Sequence, residues 1–323
     1  MRRGSTACAA GGASVPRSFR PSTFCCSVTP FAPDLSLDEA AWRSHLRRLV
    51  DAGLGVYAAG SSPGEGYALT RAEVRRCLEI AVEEAKGRIP VRAMGVEPRT
   101  AAQMVEHVRL AAEVGVDAVQ IYSLDIGHGG RPGADTLERY FRTAIEAARI
   151  PCVVSSHFFG GYVLEPELMR RLCDDYEHLV GFNVTSPEIP YLVRVLDAVG
   201  GRAEVHVGGP MHALTALALG AQGYLSSEAN YAPRTAARLI ERYVAGDSAG
   251  ASAAYATLMR FMTWMADVPG MSVRWTKSMM GALGHAGVWV REPNLPITDE
   301  ERARARKRID ALGLFELEGL ARS

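Results

Sequence analysis

The chain has 323 residues, 48% of them hydrophobic and 22% charged, enough to bury a full core, and a single domain is expected. Its 36 basic and 36 acidic residues cancel, so no net field draws it to nucleic acid or to an anionic membrane, and a small-molecule ligand is expected. No apolar run reaches bilayer-spanning length, and the six cysteines (Cys8, Cys25, Cys26, Cys77, Cys152, Cys173) form no CxxC pair; they read as reduced thiols, which points to the cytoplasm.

Residues 1–22 contain arginine and serine but no acid and no apolar stretch, so they are expected to be a disordered tail. Beyond them, short β-rich apolar runs alternate with amphipathic stretches about every 25 to 35 residues, as repeated βα units do. Strands are predicted at Phe24–Phe31, Gly55–Gly60, Ile89–Val96, Asp117–Leu124, Ile150–Phe158, Leu179–Thr185, Ala203–Gly208 and Gly220–Ser226. Thr70 with Glu73 and Thr100 with Gln103 each place a carboxylate or amide three residues after a hydroxyl, the signature of a helix start. The continuous apolar run Cys152-Val153-Val154 implies burial on both faces, as in a parallel sheet wrapped by helices. Eight such strands close a (β/α)8 TIM barrel, here over residues 23–245. Residues 246–323 read as a C-terminal helical appendix, with helices over Tyr255–Met265, Ser272–Leu283 and Asp299–Leu312 and a Pro-rich turn at 291–296.

Several segments resemble the dihydrodipicolinate synthase and N-acetylneuraminate lyase family in register, over roughly Ser27 to Leu283. Val28-Thr29-Pro30-Phe31 resembles its first strand, and residues 59–66, Ala-Gly-Ser-Ser-Pro-Gly-Glu-Gly, resemble its Gly-Thr-Thr-Gly-Glu loop with a proline inserted. Residues 216–230 are similar to its eighth-strand region, and Val273 through Gly281 to a helix near its C-terminus. The resemblance implies a homodimer or homotetramer that binds a small carboxylate or 2-oxo acid. It also implies a lysine at the end of strand six that forms an imine with a 2-oxo acid, typically pyruvate. That position is occupied by Asn183, whose amide nitrogen cannot form an imine. Only three of the 36 basic residues are lysines (Lys86, Lys277, Lys307), and none falls on a predicted strand. The family's Tyr-Asn-Val-Pro-x-Arg segment in strand five is replaced by Val153-Val154-Ser155-Ser156-His157-Phe158-Phe159.

Barrel active sites lie at the carboxyl ends of the strands, which selects the candidates. Ser61 and Ser62 keep the hydroxyls of a carboxylate-binding loop, although a Ser-Ser-Pro-Gly turn needs small polar residues in any case; Glu65 reads as structural. His157, with Ser155 beside it, stands where the family keeps its proton relay and is the expected base, against the alternative of a histidine packed on Phe158 and Phe159. Asn183 and Thr185 are placed to hydrogen-bond a carbonyl oxygen or oxyanion. Tyr122, Asp125 and His128 lie on a glycine-rich loop expected to cover the mouth. His206 and Glu228, at the ends of strands seven and eight, serve equally as wall or substrate contacts. Together with Asp125, His128 and His157 they lack HxH or HExxH spacing, so neither a metal nor any other cofactor is expected. His45, His107, His178 and His285 belong to helices or outer loops. The expected function is a lyase-like reaction without a Schiff base: aldol cleavage or condensation, elimination or hydration. The alternatives are a catalytically inactive paralogue binding a carboxylate metabolite and a metal-dependent aldolase.

Overall fold

A computed structural model of the chain describes residues 19–262 and 271–322. Eight parallel strands hydrogen-bond in sequence order into a closed barrel: β1 (Ser22–Cys26), β2 (Gly55–Gly60), β3 (Val91–Gly95), β4 (Ala118–Ile121), β5 (Cys152–His157), β6 (Leu179–Thr185), β7 (Glu204–Gly208) and β8 (Gly223–Ser226). Closure is visible at Phe24, paired with Gly55 of β2 on one side and Leu225 of β8 on the other. Helices α1 (Glu39–Asp51), α2 (Arg71–Ala85), α3 (Ala101–Val114), α4 (Ala134–Ala147), α5 (Pro166–Asp175), α6 (Ile189–Val199), α7 (Ala213–Ala218) and α8 (Pro233–Val244) follow the strands in turn. Both faces of the sheet are therefore buried: the outward faces of the strands are apolar against the helices, and buried polar side chains (Arg92, Gln120, Asn183, Glu204, His206) are spaced along the strands between them. Beyond the barrel come α9 (Ser248–Met262), α10 (Met271–Ala282), α11 (Asp299–Leu312) and α12 (Leu314–Glu318). Residues 263–265 of the predicted Tyr255–Met265 helix and 1–18 of the expected tail lie outside the described residues, as does Cys8.

Local chemistry sets the element ends. Thr70 and Glu73 form a reciprocal capping box at α2, whereas Thr100 caps α3 while the Gln103 amide accepts from the Arg99 N–H at 2.7 Å. The first strand is shorter than its apolar run: past Cys26 the Val28 N–H donates to Asn230 Oδ1 (2.9 Å), the Thr29 hydroxyl donates to Gly64 O (2.6 Å), and Pro30 has no N–H. The fourth also stops early, because Tyr122 O and Leu124 O accept from the Tyr140 and Tyr162 hydroxyls (2.6 and 2.8 Å) instead of from a strand. Cys25, Cys26, Cys77 and Cys152 are buried free thiols, held above the usual thiol pKa by desolvation. No helix among the described residues is long and apolar enough to cross a membrane.

Candidate active site at the carboxyl end of the barrel

The barrel interior is polar where strand periodicity turns side chains inward. Arg92 of β3 lies 4.1 Å over the Phe24 ring, donates to Tyr57 Oη at 3.1 Å and pairs with Glu204 of β7; both charged groups are almost fully buried. Asn183 of β6 joins this layer. Its Nδ2 donates to Tyr57 Oη at 2.9 Å and to Gln120 Oε1, while Oδ1 is buried without a partner among the described residues. The Gln120 amide in turn faces the Tyr122 phenol and opposes the rise that burial imposes on its pKa, which fixes the amide orientations in sequence. Both Asn183 N–H groups are thus spent, and the remaining atom is an acceptor.

Above this floor lies the mouth. The Ser156 hydroxyl bonds to Tyr191 Oη (2.8 Å) and accepts from Leu164 N (3.0 Å) on the helix side, so Ser155 and His157 turn toward the axis. Ser155 is register-paired with Asn183 and His157 with Thr185. Thr185 Oγ1 occupies the space that a Cβ at Gly208 would fill, so glycine is required there. His157 makes no hydrogen bond to the described residues. Burial lowers its pKa below 6.5, with Glu97 beyond β3 acting in the opposite sense. Tyr122 is buried beside Glu97 and Cys26.

The Ser61–Ser62 loop follows β2 with its backbone tightly determined. A Cβ on Gly64 would meet Gly60 O at 2.5 Å and Ser27 O at 2.9 Å, and non-glycine residues Ala59 (φ 55°) and Glu65 (φ 53°) hold left-handed conformations at its two ends. Glu65 is the anchor. Its carboxylate, fully buried, accepts from Lys277 Nζ of α10 at 2.5 Å and from the Arg291 N–H at 2.8 Å. Burial pulls the Lys277 ammonium down to about 8 against the pull of Glu65. No lysine lies on a strand: Lys86 ends α2 and donates to Gly115 O, and Lys307 is exposed on α11.

The other sequence candidates are dispersed. His206 is the third residue of the five-residue β7, not its end; it is fully buried, hydrogen-bonded to Ser22 Oγ at 2.8 Å and packed edge-on against Phe24 at 5.2 Å, beneath the mouth. Asp125 shapes its loop by accepting from Gly127 N (2.7 Å) and pairing with Arg99 (3.0 Å), and His128 is exposed at the loop tip with φ 54°. Glu228 lies buried in a short turn after β8. Ser226 Oγ donates to it at 3.0 Å, and desolvation raises its carboxyl pKa. Among the described residues no three His, Cys, Asp or Glu side chains are grouped to hold a metal ion. Tyr57, Arg92, Gln120, Glu204 and Glu97 were not selected from the sequence, although a charged residue inside an apolar strand, as at Arg92 and Glu204, was the available signal.

Known proteins share this architecture. The prophage protein YagE of E. coli K12, solved with pyruvate, superposes with a TM-score of 0.84 at 23% identity, covering 91% of this chain and 99% of that one. Dihydrodipicolinate synthase from Aquifex aeolicus superposes at 0.83 with 23% identity, covering 92% and 99%. In sequence, the 4-hydroxy-tetrahydrodipicolinate synthase of Sorangium cellulosum is 30% identical over 298 residues, 90% of this chain and 96% of that protein. The corresponding enzyme of Methanopyrus kandleri is 31% identical over 223 residues (68% and 73%), and a probable 5-dehydro-4-deoxyglucarate dehydratase of Bradyrhizobium is 29% identical over 295 (88% and 90%). Residues 22–312 match the Dihydrodipicolinate synthetase family as a unit, and the chain belongs to that family of lyase-type aldolases and dehydratases.

Proposed function

We propose that the chain is a lyase that binds a small carboxylate or 2-oxo acid at the barrel mouth and acts by acid–base chemistry without an imine. The observation that supports this most is Asn183, an amide on β6 paired with Ser155, one inward position below the His157–Thr185 pair, with every lysine off the strands. The neutral His157 imidazole takes the proton next to the substrate's carboxyl or carbonyl group. Thr185 donates to the oxygen on which charge develops, while Asn183 Oδ1 accepts from a hydroxyl of the substrate or its enol. Ser61, Ser62 and neighbouring backbone N–H groups hold the carboxylate. The same reading carries a cytoplasmic homodimer or homotetramer, which light scattering on the purified protein checks.

Borohydride added with pyruvate, the 2-oxo acid bound in the E. coli relative, is expected to leave the protein mass unchanged. A stoichiometric reduced adduct mapped to Lys86, Lys277 or Lys307 would overturn the imine-free mechanism. The carboxylate loop is tested separately. Hydrogen bonds to a charged group contribute roughly 1.5–3 kcal/mol, so replacing Ser61 and Ser62 together by alanine is expected to weaken pyruvate binding about tenfold or more. Unchanged affinity in calorimetry, with the fold intact, would move the anion site elsewhere.

A further inference from the structure

The mouth carries apolar side chains that a site for an unsubstituted acid such as pyruvate does not need. Phe159 is 69% exposed, Ile126 51%, and Phe158 and Val96 36% each. They lie in the segments that follow three successive strands, β3, β4 and β5. The loop and turn that carry Ile126 and the phenylalanines are locked together: a Cβ on Gly161 would meet Gly129 O at 2.5 Å, and Tyr162 Oη donates to Leu124 O. Val96 borders the carboxylate loop, its Cγ1 lying 2.9 Å from where a Cβ on Gly66 would stand. The aromatic rings cluster with the base. The Phe159 centroid lies 5.1 Å from that of His157 and 4.0 Å from that of Phe158, and Phe158 is stacked on the imidazole at 6.5 Å.

Solvent-exposed apolar groups set around the carboxyl end of a barrel, where ligands bind, mark a ligand contact rather than a folding element. Resting on the mouth being the substrate site, we propose that the substrate is a carboxylic acid bearing a flat apolar substituent of aryl type, which packs on Phe158 and Phe159 with Ile126 and Val96 at its edges. The carboxylate lies at the Ser61–Ser62 loop and the reacting carbon at His157. A substituent on that carbon then leaves the site along the two phenylalanines, where ring faces and edges pair favourably.

The test compares pyruvate with phenylpyruvate by calorimetry on the full chain, in the wild type, Phe159→Ala and Phe159→Leu. The wild type is expected to bind phenylpyruvate roughly tenfold more tightly than pyruvate, the scale of burying an added ring. Phe159→Ala is expected to remove that difference and leave pyruvate affinity unchanged, and Phe159→Leu to keep part of it; a side chain this exposed is replaced without loss of fold. Pyruvate bound but phenylpyruvate no tighter overturns this inference and leaves the carboxylate site standing. Binding of neither acid overturns both. A fall in particle mass by light scattering in Phe159→Ala makes the rim a contact between copies of the chain and also overturns the inference.

Discussion

Replacement of His157 by glutamine is expected to lower turnover by roughly 10²–10⁴-fold while changing stability by less than about 1 kcal/mol. The argument rests on placement. His157 ends β5, turns toward the axis because Ser156 is held on the helix side, and makes no hydrogen bond to the described residues that its loss would orphan. Its pH dependence has a definite sign. Desolvation lowers the imidazole pKa below 6.5, so the neutral, proton-accepting form dominates at neutral pH and activity falls only as the pH drops through that depressed value. The acid limb of the kcat/KM profile therefore lies below 6.5 and disappears in the variant. A histidine that merely packs on the phenylalanines gives the opposite pattern, with the unfolding midpoint falling and turnover surviving. The measurement needs a turned-over compound, so 2-oxo acids, hydroxy acids and unsaturated acids are screened first. Binding of every compound without turnover would favour the inactive-paralogue reading.

Strand positions followed from apolar runs because a double-covered parallel sheet buries both faces, and β2, β6 and α11 have the bounds that pattern predicts. Apolar character does not end where hydrogen bonding ends, and here the expectation failed. Val28, Tyr122 and Leu124 are as buried as strand residues, yet their backbone groups are satisfied by Asn230, Tyr140 and Tyr162, partners 18 to 202 residues away. The candidate site was legible only as a set of positions. The rule that catalytic groups sit at strand ends selects Ser61, His157 and Thr185. It cannot tell that His206 lies mid-strand against Ser22, or that the Asn183 amide has already committed its donors. The first depends on Ser22 of β1 and the second on Tyr57 of β2 and Gln120 of β4, all on strands distant in sequence.

Replacement of Lys277 by methionine is expected to cost about 3–5 kcal/mol, because it leaves a buried carboxylate without its counter-charge. Both side chains of the Lys277–Glu65 pair are 0% exposed. The ammonium also donates to Trp289 O at 2.5 Å and lies 4.4 Å over the Phe31 ring. Among the described residues the Glu65 carboxylate otherwise accepts from the Arg291 N–H at 2.8 Å and, at 3.4 Å, from Asn294 Nδ2, both uncharged donors. An exposed ion pair would contribute less than about 1 kcal/mol, so the size of the loss itself reports burial. In the double variant Glu65→Gln with Lys277→Met, the amide oxygen still accepts from Arg291 and no charge is stranded. Denaturant unfolding is expected to show that it regains a substantial part of the loss, a coupling of about 1–3 kcal/mol between the two positions. Additive single losses would show that the pair acts as two independent contacts. The consequence reaches the site, because Glu65 holds the left-handed end of the loop that carries Ser61 and Ser62. In Lys277→Met protein that remains folded, pyruvate affinity is expected to fall together with stability and to recover in the double variant. That pair of results would assign to Lys277, the lysine kept deepest in the interior, the holding of the Ser61–Ser62 loop in shape.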